Sequence, residues 1–156
     1  MNNMAGRIIL AVLSAFCLFA GPAIARSRVG DGPYFCLNKQ EREYCVNSHN
    51  KPVNGQYVMN SAQSGGVVIG YFKNGYRRGL TSYYDRNGYL EQKVNYNKGN
   101  IVGKVSVFSV KGKKIGEFTY SRGMLKQGYC LYGNKKRYLS AEAIARISKN
   151  RLVSCR

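Results

Sequence analysis

FKNGYRRGLTSYYDRNG (residues 72–88) is echoed, 24 residues on, by YNKGNIVGKVSVFSVKG (residues 96–112). Gly75, Gly79 and Gly88 match Gly99, Gly103 and Gly112, while Phe72 and Tyr84 match Tyr96 and Phe108. A third copy starts at Tyr120 and Gly123, but Gln127 stands where the next glycine belongs and that slot slips to Gly128. A weaker half-unit starts at Gly55. Fixed glycines and rings with little else held constant describe a stacked supersecondary unit, and arrays of such units usually bind rather than transform.

The unit reads as β. Tyr, Val, Phe, Ile and Thr fill the spans between glycines and suit a pleated, half-buried surface. Turn signals recur at Asn54-Gly55, Asn74-Gly75, Asn87-Gly88, Lys98-Gly99, Lys111-Gly112 and Arg122-Gly123. Asn-Gly is a strong hairpin signal because both residues tolerate positive φ. Val94 and Tyr96 share a parity with Phe118 and Tyr120 one unit on, and Lys93 and Asn95 share the other with Glu117 and Thr119. An even repeat returns matched residues to the same face. The expected fold is mainly β, an antiparallel meander of successive hairpins closed by a short C-terminal helix.

Tyr96-x-x-Gly99-x-x-x-Gly103-x-x-x-x-Phe108-x-x-x-Gly112, and its match from Phe72 to Gly88, resemble the MORN repeat, in particular the YwqK-like antitoxin and immunity variant. The resemblance covers about half of the chain and implies an open sheet of hairpins with rings along one face. It also implies a scaffold, a membrane-associated module, or an antitoxin or immunity partner. The chain departs from the family in having no tryptophan, no Gly-x-Gly step, and added cysteines.

Around the repeat lie other zones. Residues 1–25 read as a cleaved export signal: Arg7, an apolar run from Ile8 to Ala20, then Ala23-Ile24-Ala25. The run is 13 residues, short of the roughly 20 that a membrane span needs. An exported, periplasmic or secreted product without a transmembrane span follows. Residues 26–52 form a polar lead-in, in which Asn38 and Glu41 could cap one helical turn or belong to an extended loop. Residues 53–137 are the repeat sheet. Residues 138–156 read as helix, with Ser140 as N-cap and Leu139 stapled to Ile144, capping the open end of the sheet.

Four cysteines remain beyond the signal: Cys36, Cys45, Cys130 and Cys155. An even number in an exported chain favours disulfides. Three pairings are open; Cys36–Cys45 with Cys130–Cys155 is favoured because each would pin a terminal zone. A zinc site would need CxxC-type spacing or more than one histidine, and the sequence has neither.

The composition argues for binding. His49 is the sole histidine and the seven acids are scattered, so no catalytic constellation, cofactor loop or metal set is visible. A hydrolase built on His49 with Glu43 is the weakest reading. Lysine and arginine total 25, a formal net charge of +18, or +17 without Arg7. Such a field attracts polyanions, and export makes nucleic acid the least available of them. Lys111, Lys113, Lys114, Lys135, Lys136 and Arg137 should line one margin of the meander. Arg77 and Arg78, with Lys98, Arg122 and Lys126, should line the other. Tyr83 and Tyr132 stand beside these charges, as do Tyr84, Tyr89, Tyr129 and Tyr138. Tyrosine and arginine are favoured at interface centres. The expected partner is an acidic or concave protein, a toxin for example. The alternative is an anionic envelope surface of lipid, lipopolysaccharide or cell-wall polymer.

Overall fold

The computed structural model describes residues 28–29, 34–61 and 65–155; the expected signal over residues 1–25 lies outside them. The strands are β1 (Arg28–Val29), β2 (Tyr34–Lys39), β3 (Arg42–Asn47), β4 (Gly55–Asn60), β5 (Val67–Lys73), β6 (Tyr76–Arg77), β7 (Gly79–Tyr84), β8 (Leu90–Asn97), β9 (Asn100–Ile101), β10 (Gly103–Phe108), β11 (Lys114–Ser121), β12 (Met124–Tyr132) and β13 (Lys135–Tyr138), followed by helix α1 (Ala141–Ala145). All strands join one antiparallel sheet, in the order β13-β12-β11-β10-β8-β7-β5-β6-β3-β2, with β4 on β5, β1 on β4 and β9 on β8. The fold is mainly β, an open meander of hairpins with one short C-terminal helix.

The repeat has a physical cause. Asn74, Lys98 and Arg122 have φ of 52°, 46° and 50°, and the glycines after them 78°, 78° and 85°. Two successive left-handed residues make a type I′ turn, whose twist matches that of the strands. Each turn glycine then donates its N–H one unit back: Gly75 to the carbonyl of Val53, Gly99 to Arg77 and Gly123 to Ile101, at 2.9, 3.0 and 2.9 Å. A Cβ at Gly123 would lie 2.5 Å from Asn150 Oδ1, so this turn has no room for a side chain. The second glycine of the unit marks a bend. Arg78 and Val102 separate β6 from β7 and β9 from β10, and Gly79 and Gly103 follow at φ 73° and 68°. Where Gln127 replaces that glycine, β12 runs unbroken for 9 residues, and the extra residue is taken up by a register shift opposite Thr119 and Tyr120.

Two of the three Asn-Gly signals behave differently from the sequence expectation. Asn87-Gly88 is part of a longer loop in which Asp85 Oδ1 accepts from the N–H groups of Asn87 and Tyr89, at 2.8 and 2.9 Å. Asn54-Gly55 forms no hairpin: Gly55 opens β4, and Asn54 Oδ1 accepts from the N–H of Asn74 at 2.8 Å.

Matched rings do share a face. Phe72, Tyr96 and Tyr120 are all buried, as are Val94 and Phe118. They fall into two clusters. Val94, Tyr96, Ile101, Val105, Val107, Phe118, Tyr120, Leu125 and Cys130 form the larger, and Cys45, Val53, Tyr57, Val68 and Phe72 the smaller; Tyr83 packs against both.

Both ends differ from the sequence reading. Among the described residues the lead-in carries no helical turn. Its β2–β3 hairpin turns at Gln40 and Glu41, both left-handed at φ 54° and 59°, and joins the main sheet through Tyr44 and Tyr76. The tail is helical over Ala141–Ala145 alone, since Tyr138 ends β13 and the chain beyond Arg146 leaves the helix. Ser140 does cap the helix, its Oγ accepting from the N–H of Ala143 at 3.2 Å. Beyond the helix Asn150 turns the chain at φ 58°, and Leu152 and Val153 lie on the larger cluster beside Ile144 and Ile147. The tail therefore covers the apolar face of the sheet rather than its open end. Cys36 pairs with Cys45, and Cys130 with Cys155. No helix among the described residues is long and apolar enough to cross a membrane.

Candidate functional site

The cationic residues singled out in the sequence separate into three settings. Lys111 and Lys113 sit in the β10–β11 loop, Lys114 opens β11, and Lys135, Lys136 and Arg137 run along β13, so all six lie at or near one margin. Lys114 is the exception in its engagement, since it and Lys104 both bind the Glu117 carboxylate, Lys104 at 3.2 Å. The Lys114 ammonium is the main reason that the Glu117 carboxyl is held below its ordinary range. Arg78 is exposed near the opposite margin. Arg77 and Tyr83 are turned inward.

Around β13 the charges rest on rings. The Arg137 guanidinium stacks over Tyr132 at 4.8 Å from the ring centre, and the Lys136 ammonium over Tyr129 at 4.6 Å. Tyr129 and Tyr138 pack at 5.7 Å. Cross-strand pairing dictates these neighbours: Tyr132 faces Lys135, and Tyr129 faces Tyr138. All four residues of β13 are exposed, and Tyr132 and Tyr138 remain 50% and 65% accessible. An exposed cation–π contact of this kind contributes about 0.5–1 kcal/mol.

The inward group lines a cleft of about 390 Å³ between the two core clusters, bounded by Glu43, Met59, Arg77, Tyr83, Tyr96 and the tail at Leu152. Arg77 Nε donates to Glu43 Oε2 at 2.5 Å and Nη1 to Tyr83 Oη at 2.8 Å. Its plane lies over Tyr57 and Tyr96, 5.3 and 5.6 Å from their centres. Tyr83 and Tyr96 share a hydroxyl contact of 2.7 Å. Burial works against the Arg77 charge, but the phenol oxygens of Tyr83 and Tyr57 and the Glu43 carboxylate more than offset it and hold the guanidinium charged. Burial also raises the phenols of Tyr57 and Tyr96 above their ordinary value. This is a pinned ion pair joining the lead-in hairpin to the repeat. Sequence reading missed Glu43 and Tyr96 as its members because they come from different strands, Glu43 brought to Arg77 by the β3–β6 pairing and Tyr96 to Tyr83 by the β7–β8 pairing.

Glu43, the acid offered to His49 as a partner, is taken by Arg77, and the exposed His49 ring meets Ser48 Oγ at 3.4 Å. Cys36, Cys45 and Glu43 place ligand-type atoms within 4.8 Å of one another, but the two sulfurs are bonded to each other, which leaves no thiolate for a metal. Comparison with known proteins finds no matching family model and no matching curated protein.

Proposed function

We propose that this chain is an exported, non-enzymatic binding protein of the antitoxin or immunity kind, holding an acidic partner protein through the basic, tyrosine-rich margin at Lys111, Lys113 and Lys135–Tyr138. The observation that carries the reading is the set of exposed cation–ring stacks on β12 and β13, which presents charge and apolar area together in a fixed geometry. Interface hot spots favour this pairing of residue types. The repeat resemblance, the signal-like N-terminus and the two disulfides support export and the kind of protein; Arg77 and Tyr83 serve the fold in this reading, while Arg78 and Lys114 are peripheral.

The test is affinity capture from envelope extracts with the disulfide-bonded protein, beside the K135E/K136E/R137E variant. Stoichiometric capture of an acidic protein by the parent and not by the variant is expected. No captured protein, together with no sensitisation of cells lacking the gene to a neighbouring effector, would end the proposal. The net charge of +18 favours one second reading, an envelope module that binds anionic lipid, lipopolysaccharide or cell-wall polymer. That reading requires vesicle or polymer binding that collapses between low and high salt.

A further inference from the structure

The outer side of β13 is bounded by no other strand among the described residues, since β13 ends the sheet order and pairs with β12 alone. We infer that this edge binds an extended, acidic segment of the partner protein as an added strand. The inference rests on the binding-protein reading above and names how that binding is made.

The backbone sets the geometry. β12 and β13 are joined through Gly133 and Asn134, with Gly133 left-handed at φ 62°. In a two-residue hairpin the flanking pair, Tyr132 and Lys135, exchanges hydrogen bonds, and the pattern then alternates. Cys130 with Arg137 is the next bonded pair, and the Leu139 N–H donates onward to Gly128 at 3.0 Å. Lys136 and Tyr138 therefore direct their N–H and C=O groups away from β12. Those groups are what an incoming strand would meet.

The side chains select the occupant. Natural sheets place lysine on free edges to prevent edge-to-edge association, and Lys135, Lys136 and Arg137 oppose pairing with a second copy of the same strand. The same charges attract a strand bearing acids at alternate positions, because opposite charges on cross-strand neighbours stabilise and like charges destabilise. Lys111 and Lys113 at the same margin add to that field. Tyr138 and Tyr129, on the face that carries Lys136, offer apolar area to the residues between the acids. In strand addition the main chain supplies affinity and the side chains supply selection.

The experiment uses the full disulfide-bonded protein and two probes: a blocked eight-residue peptide of alternating Glu and Val, and the same peptide N-methylated at every residue, which blocks both of its edges. Both carry equal charge, but the methylated one cannot complete a ladder. The unmodified peptide should slow amide exchange at Lys136 and Tyr138 by tenfold or more, and the methylated one should leave both rates unchanged. Lys136→Pro removes an outward N–H without touching the bonds to β12, and should abolish the protection at Tyr138. Lys136→Ala should retain it. Equal effects of the two peptides, or no protection from either, would overturn strand addition. Capture of a partner protein that survives Lys136→Pro undiminished would also overturn it, while leaving the binding-protein reading intact. Peptide addition with no envelope partner would keep the edge inference and count against that reading.

Discussion

The two halves of the sheet are built on one repeat but closed by different means. In the C-terminal half, nine buried residues around Phe118 are covered by the tail, which lays Ile144, Ile147, Leu152 and Val153 over them. In the N-terminal half five buried residues around Phe72 and Tyr57 are flanked by Tyr34, Cys36 and Met59, and the β2–β3 hairpin is secured by an ion pair and a disulfide. The halves meet where Asn150 Nδ2 donates to the Glu41 carbonyl at 2.8 Å and the Lys149 ammonium reaches Glu41 at 3.2 Å. A single open sheet cannot cover its own apolar face, so each half takes cover from outside the repeat. The C-terminal half has the apolar cover and the N-terminal half the polar clasp.

The sharpest way to break this contrast is to empty each core. Phe118→Ala removes a fully buried ring and should cost about 4–5 kcal/mol, toward the upper end for a buried phenylalanine. Phe72→Ala, in the smaller cluster, should cost about 3 kcal/mol, the lower end. Urea denaturation followed by tyrosine fluorescence measures both. Equal losses would mean that the clusters are one core in energetic terms.

The disulfides sharpen the same comparison. Cys130–Cys155 closes a separation of 25 residues and Cys36–Cys45 one of 9. On loop-closure entropy, serine replacement of the first pair should cost about 3.5 kcal/mol and of the second about 2.6 kcal/mol. A larger loss from the shorter loop would show that the lead-in hairpin depends on its disulfide more than chain entropy requires.

The clasp itself is tested by Glu43→Gln. The change leaves Arg77, whose side chain is 11% exposed, without its carboxylate, and should cost about 1.5–3 kcal/mol, as loss of a hydrogen bond to a charged group does. Lys104→Ala, removing an exposed partner of Glu117, should cost less than about 1 kcal/mol. If the two variants were equally stable, Arg77 would be no better held than a surface cation.

These contrasts also explain what was legible in the sequence. Much of what has a period was readable, namely the Asn74, Lys98 and Arg122 turns and the shared face of Phe72, Tyr96 and Tyr120; the two disulfides followed from the even cysteine count and their places at the ends of the chain. Features without a repeat to announce them were hidden. Gln40-Glu41 turns the lead-in hairpin through left-handed residues that are not glycine, so the sequence left a helical turn and an extended loop both open there. The tail has helical local preferences as far as Ile147, and its use as cover for Tyr120 and Val94 is decided by residues distant in sequence. Arg77 shared a charge run with Arg78, and nothing local distinguished the buried one from the exposed one. The margin carrying Lys111, Lys113 and Lys135–Arg137 was readable because strand parity and turn spacing suffice to place it. The ring beneath each cation was not, because the pairing register of β12 with β13 had first to be known.

The tyrosines around Arg77 give a small effect at neutral pH and tie the clasp to alkaline pH. Tyr57 and Tyr96 line the contact between the halves, and burial raises both phenols above their ordinary value. A raised folded-state pKa means that the neutral phenol is preferred in the native protein. Its contribution is therefore complete below the unfolded value near pH 10 and declines as pH rises from there toward the folded value. Each such group should remove about 1.4 kcal/mol of stability per pH unit within that window. Absorbance at the phenolate band should show a share of the phenols ionising only as circular dichroism reports unfolding. Tyr96→Phe keeps the ring over which Arg77 lies and removes the ionisable oxygen, so it should flatten the alkaline decline. It should also cost about 1 kcal/mol at neutral pH through the lost contact with Tyr83. An alkaline decline unchanged in Tyr96→Phe would place the sensitive phenol elsewhere and weaken the idea that the junction of the halves is where the sheet first opens.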